Sequence, residues 1–167
     1  GLENWLAQKG ILVEDSFILD AKCGSVTVQQ QQGMFNFQTQ VMFPFLPIVG
    51  KFSDHPITKG LETVILPFAS PVNFIGDSSK RFTPLIMTSE KSATQKAPVY
   101  FDINKQWGEP DFPERNIVIG GIIEETRPGK QFKMVILGDG DFAINGSGQQ
   151  ARSLQPDNVS LLVNAID

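Results

Sequence analysis

Apolar residues recur along this chain with two periods, and the switches between them map its elements. Leu2, Trp5 and Leu6 share one helical face, and Lys9-Gly10 supplies a last-turn cation and a closing glycine, which predicts a short amphipathic helix over Leu2–Gln8. From Ile11 to Asp20 the apolar positions alternate, and after a turn at Cys23-Gly24-Ser25 the alternation resumes at Val26 and Val28; both stretches predict strands. The run Gln29–Gln32 is too short for a low-complexity tract and predicts an exposed strand or loop. Val41–Val49 is apolar but broken by Pro44 and Pro47, which cannot donate to a central ladder, so an irregular or edge segment is expected. Asp54 ahead of Pro56 predicts a capped helical turn, followed by a strand at Val64–Ala69.

Two more strands are expected at Val72–Ile75 and Leu85–Thr88, the second leaving into a polar, solvated turn at Thr88–Ser92. Between Asn104 and Arg115, Trp107, Gly108, Pro110, Phe112 and Pro113 erase any period and predict a long loop held by its aromatics. Ile117–Ile123 is a continuous apolar run, as in a strand buried on both faces, and after a turn at Thr126–Lys130 a further strand is expected over Phe132–Leu137. That strand runs into Gly138-Asp139-Gly140-Asp141-Phe142-Ala143-Ile144-Asn145, and Asn158 then leads a helical pattern through Leu161, Leu162, Val163, Ala165 and Ile166. A strand, a loop at its carboxyl end and a helix together form the ending of an α/β layer, with the loop where such sheets bind their ligands. The expected fold class is therefore α/β, a mixed strand-rich sheet with few helices.

Composition narrows the picture. The 167 residues, 41% of them hydrophobic, suit one domain over 1–167, and no internal repeat or linker divides them. Thirteen Phe and two Trp against a single Tyr place most aromatics in the core rather than on a Tyr-rich recognition surface. A net charge of -4 with scattered Lys and Arg offers no basic stripe for phosphates, which excludes nucleic acid as a partner. One cysteine forbids an internal disulfide. No stretch reaches the roughly 18 apolar residues of a membrane span. Gly1 at the start, and an apolar helical pattern still running at Asp167, read as boundaries inside a longer protein.

Asp139 and Asp141, two residues apart, project to one side of an extended backbone and form the best candidate site. The EF-hand pattern fails at Ala143, and the simpler expectation is that the glycines allow a tight turn while an aspartate caps backbone amides; no metal or cofactor is assigned. Cys23 and His55 are the only residues of their types and the only pair that suits a covalent mechanism, yet Cys23 lacks the glycine-flanked elbow of an exposed nucleophile. A structural thiol and a His55 that caps the Pro56 turn are expected instead. Thr88–Ser92 lacks the glycines of a phosphate loop. Asn-x-Ser sequons at Asn145 and Asn158 are too short a pattern to assign a role.

Three blocks resemble the GldG-like family of gliding-motility-type ABC transporter auxiliary components. The first is Leu2-Glu3-Asn4-Trp5-Leu6 with Gly10-Ile11-Leu12-Val13 and Asp20; the second is His55-Pro56-Ile57-Thr58 with Pro84-Leu85-Ile86-Met87-Thr88-Ser89; the third is Gly138–Asn145 with Asn158–Ala165. Gly140 stands where that family more often has Ser. The resemblance implies the later part of a larger extracytoplasmic region with Rossmann-like, glutamine-amidotransferase-like layering. It also implies a non-enzymatic role beside an ABC permease and ATPase, on the periplasmic side of the inner membrane, with the membrane reached through segments outside these residues. The candidate ligand or partner loops are then Asp139, Asp141 and Asn145 on one side and Trp107 on the other. A carbohydrate- or small-ligand-binding module using the Gly138–Asn145 acidic loop is the alternative.

Overall fold

The computed structural model describes residues 1–32, 34–146 and 153–167. Helix α1 (Leu2–Gln8) leads into strands β1 (Ile11–Val13), β2 (Ser16–Asp20), β3 (Cys23–Gln32), β4 (Phe35–Val49) and β5 (Lys51–Phe52). A turn of 3-10 helix at Pro56–Thr58 precedes β6 (Val64–Ile65), β7 (Val72–Phe74), β8 (Lys80–Met87) and β9 (Ser92–Lys96). Another at Glu109–Asp111 precedes β10 (Val118–Arg127), β11 (Lys130–Leu137) and helix α2 (Pro156–Ile166). The strand-rich content with few helices matches the pattern of apolar positions.

The central sheet has the order β11-β10-β8-β5; β3-β4-β6 form a second sheet, and β1-β7 and β2-β9 are separate pairs. Every pairing among the described strands is antiparallel. Those strands contain no parallel crossover of the kind from which a Rossmann-like layer is built. β10 and β11 form a hairpin whose turn uses Gly129 at φ +74, a conformation glycine adopts without a side-chain clash.

β10 occupies the middle of its sheet, and Ile119, Ile122 and Ile123 are buried on it, as the continuous apolar run predicts. A register shift against β8 at Gly120 and Gly121 changes which face each residue meets. Ile119 and Ile122 consequently both join the main core with Leu85, Ile86 and Leu161 of α2, while Ile123 turns to the opposite side and packs with Leu6 of α1, Ile11 and Val72. A third cluster, Leu19, Phe45, Ala93 and Phe112, lies beneath the 104–115 loop.

Several local expectations are corrected. Val41–Val49 is neither irregular nor marginal: it is the second half of a 15-residue strand, and Pro44 falls where the β3–β4 register shifts between Cys23↔Pro47 and Ser25↔Met42. A bulge leaves an amide position unpaired, which is where proline fits. The strand expected at Val64–Ala69 ends at Ile65. Leu66 and Phe68 still donate to Pro47 and Phe45 at 3.2 and 2.8 Å, but Phe68 has φ 54 and leaves the ladder geometry. Of the two residues expected to cap the Pro56 turn, His55 does so, its Nδ1 accepting from the Ile57 amide at 3.2 Å, and Asp54 does not. Thr88–Ser92 is solvated only in its middle, at Glu90 and Lys91; Thr88 and Ser92 at its ends are fully buried, and Ser92 begins a strand that the polar sequence concealed.

Candidate functional site

The loop after β11 is built from its backbone outward. Gly138 donates its amide to Ile119 O at 2.8 Å and accepts from the Ser70 amide at 2.7 Å, so the strand end is stitched to two neighbours. Asp139 is buried, and its Oδ1 accepts from the Asp141 amide at 2.9 Å, the capping arrangement expected of an aspartate in a tight turn. Ile144 N donates to Asp141 O at 2.9 Å, closing the turn. Asp141 and Asn145 are exposed, and Phe142 between them packs against the main core. Ser147, which completes the Asn145 sequon, lies outside the described residues.

The most connected side chain here is Asn158. On α2 it is buried, accepts from Ile65 N at 3.0 Å, and donates through Nδ2 to Ile65 O at 2.8 Å and Phe142 O at 2.9 Å. It therefore ties the helix, β6 and the acidic loop into one joint, and its burial removes it as a glycosylation acceptor. Next to it, Asp157 Oδ2 accepts from the amides of Glu62 and Thr63 at 2.7 and 2.9 Å, and these bonds hold its carboxyl below its ordinary value of 3.8. Asn164, lower on the same helix, donates to Ile57 O at 3.0 Å.

A second joint is centred on Asp20, which sequence patterning placed only in a family block. Buried to 1% exposure, it accepts from the Ser89 amide at 2.7 Å, the Ser89 hydroxyl at 2.6 Å and the Lys22 amide at 2.8 Å. Thr88 and Ser92 join hydroxyls at 2.8 Å, and Thr88 Oγ1 also accepts from Ile117 N at 2.8 Å. The polar groups of this turn bind one another, which removes it as an anion loop. The first two sequence blocks thus meet at Asp20–Ser89, and the second and third at Ile57–Asn164.

Trp107 is elsewhere. It packs edge-on against Phe45 at 6.2 Å and tilted against Phe112 at 6.0 Å, with Lys105 Nζ 3.9 Å from its ring centroid. A cleft of about 80 Å³ beside it is lined by Met42, Phe43, Tyr100, Phe101 and Ile103, and Tyr100 is 90% exposed. Trp107 belongs to the third cluster and Phe142 to the main core, so the structure does not bring the two candidate loops together.

Cys23 and His55 do not form a pair among the described hydrogen bonds. Burial, reinforced by the Asp20 charge, pushes the Cys23 thiol above its ordinary value against the opposing hydrogen bond with Phe43. That is the opposite of what an activated nucleophile needs. Among the described residues no group of three or more His, Cys, Asp or Glu is arranged to hold a metal ion, and no helix is long and apolar enough to cross a membrane.

Fold and site together define a strand-rich domain whose motif residues act as structural joints and whose loops and one sheet edge face outward. The chain belongs to the family described as ABC-type uncharacterized transport system, whose model it matches over residues 1–165. Membership ties it to an auxiliary component of an ABC-type transport system. No curated protein and no solved structure matches the chain.

Proposed function

We infer that this domain is a non-enzymatic, extracytoplasmic auxiliary component of an ABC-type transport system of the gliding-motility type, working by protein-protein coupling. The family match over residues 1–165 carries the inference. The side chains that suggested chemistry support it: His55 caps a turn, the Cys23 thiol is raised, and Asp139 caps the Asp141 amide. The domain would form the later part of a larger periplasmic region of Rossmann-like, glutamine-amidotransferase-like layering, anchored in the inner membrane by segments outside these residues. Its partners would be the permease and ATPase. The exposed rim of the Trp107 loop and the Asp141–Asn145 turn are the contact surfaces, because loops held on a rigid scaffold carry recognition.

The test is affinity recovery of the full-length parent from detergent-solubilised native membranes, with partners identified by mass spectrometry. Recovery of a permease and an ATPase is expected, and Tyr100→Ala or Asp141→Ala is expected to reduce it while leaving the circular dichroism unchanged. Recovery of the protein alone would overturn the coupling role.

A further inference from the structure

The two edges of the central sheet are unlike. β5 closes one edge with only two residues, a length that discourages further pairing. β11 forms the other edge with eight residues, and no described strand pairs with its outer side. Natural edges are usually broken by charge, proline or a bulge, yet Met134, Val135, Ile136 and Leu137 are consecutive, uncharged and only partly buried.

The outward groups of this edge follow from the ladder. Gly138 N bonds to Ile119 O in a register that pairs Gly120 with Leu137, so Gly121–Ile136 and Ile123–Met134 are the hydrogen-bonded pairs. Lys133, Val135 and Leu137 consequently turn their amides and carbonyls away from β10. An apolar trench lies on each side of this row. One, about 1560 Å³ and open, runs between β11 and Leu2, Trp5 and Leu12. The other, about 760 Å³, runs between β11 and Leu162, Ala165 and Ile166 of α2. A strand added here would send alternate side chains into the two trenches.

Charge along the edge identifies the occupant. At the start of β11 stand Lys130 and Lys133, with Lys9 over the Phe132 ring at 4.9 Å. At its end, Gly138 is bonded to Ser70, Glu14 N is bonded to Pro71 O, and Glu14 and Asp15 line the same trench as Leu137; exposed Asp141 follows two residues after the buried Asp139. Lys133 is ion-paired with Glu124 at 3.1 Å, so the basic end rests on Lys130 and Lys9, and at the other end Glu14, Asp15 and Asp141 outnumber Lys96, which lines the same trench. A second copy running antiparallel places each basic end against an acidic end; with the axis at Val135, that residue faces its own counterpart and Met134 faces Ile136 of the second copy. We propose that two copies of this chain associate through β11, edge to edge across a two-fold axis, extending the central sheet from one copy into the other.

The test is sedimentation of the 167-residue chain over a range of concentrations and salt. Self-association that weakens with salt is expected. Lys130→Glu, and separately Asp15→Lys with Asp141→Lys, are each expected to weaken it at least about tenfold by placing like charges together. Mixing these two variants restores opposite charges at both ends, so the mixture is expected to associate when neither variant does alone. On the unaltered chain, the amides of Lys133, Val135 and Leu137 are expected to gain hydrogen-exchange protection as concentration rises. A chain that stays monomeric, a dimer indifferent to either variant, or exchange at those amides that ignores concentration would each overturn the proposal.

Discussion

Replacing Gly138 by alanine separates two glycines that look equivalent in the Gly-Asp-Gly-Asp run. A Cβ on Gly138 would lie 1.9 Å from Ser70 O and 2.9 Å from Ser70 C. That is roughly 1.5 Å short of van der Waals contact, and the atoms in the way are backbone, which cannot rotate aside as a side chain can. Relief requires the strand end and the Ser70 segment to part, which breaks the 2.7 Å Ser70–Gly138 bond and strains the 2.8 Å bond from Gly138 to Ile119. One lost hydrogen bond costs about 1 kcal/mol, and a buried group left unpaired a further 1–3 kcal/mol or so. The sum is about 3 kcal/mol, which in a chain of this length lowers the melting temperature by roughly 6–12 °C. Gly140 is the internal control. Its Cβ would meet nothing within 4 Å. Thermal unfolding of both variants by circular dichroism checks this. Gly138→Ala melting within about 2 °C of the parent, or as large a loss for Gly140→Ala, would refute the reasoning.

Asn158→Ala removes three hydrogen bonds and leaves Ile65 N without its acceptor, so a loss of about 2–4 kcal/mol is expected in denaturant unfolding. Asp157 has a folded pKa below its ordinary 3.8, so its stabilising contribution is present above that value and fades as pH falls through the lower, folded one. The stability gap between the parent and Asp157→Asn is therefore expected to be constant from neutral pH to about pH 4 and to narrow below it; a gap unchanged at pH 2 would count against the Glu62 and Thr63 amide bonds. Cys23, whose thiol is raised by burial, is expected to alkylate more slowly at neutral pH than a free cysteine in a peptide and to speed up on unfolding.

The elements that local pattern determines were legible in the sequence. The period at Leu2, Trp5 and Leu6 marks α1, the apolar run at Ile117–Ile123 marks the central strand, and the capping aspartate of the Gly138–Asn145 turn follows from its glycines. These depend on a few neighbouring residues, whose backbone preferences act before any tertiary contact exists. Other features depend on partners far along the chain. Pro44 belongs in a long strand because a register shift against β3 frees its position. Thr88 and Ser92 are buried because each hydroxyl finds the other and Asp20 holds the turn. Asn158 stands in the sequence only as the residue that leads a helical pattern, and it becomes a buried clamp because Ile65 and Phe142 arrive from other segments. Polar burial is stable only when the bonds close, and closure is a property of three-dimensional placement. The sequence by itself determined the helices and the central strand and carried the family resemblance; only the tertiary structure decided which polar residues are joints, which loops stand apart, and that no described strand pairs with the outer side of β11.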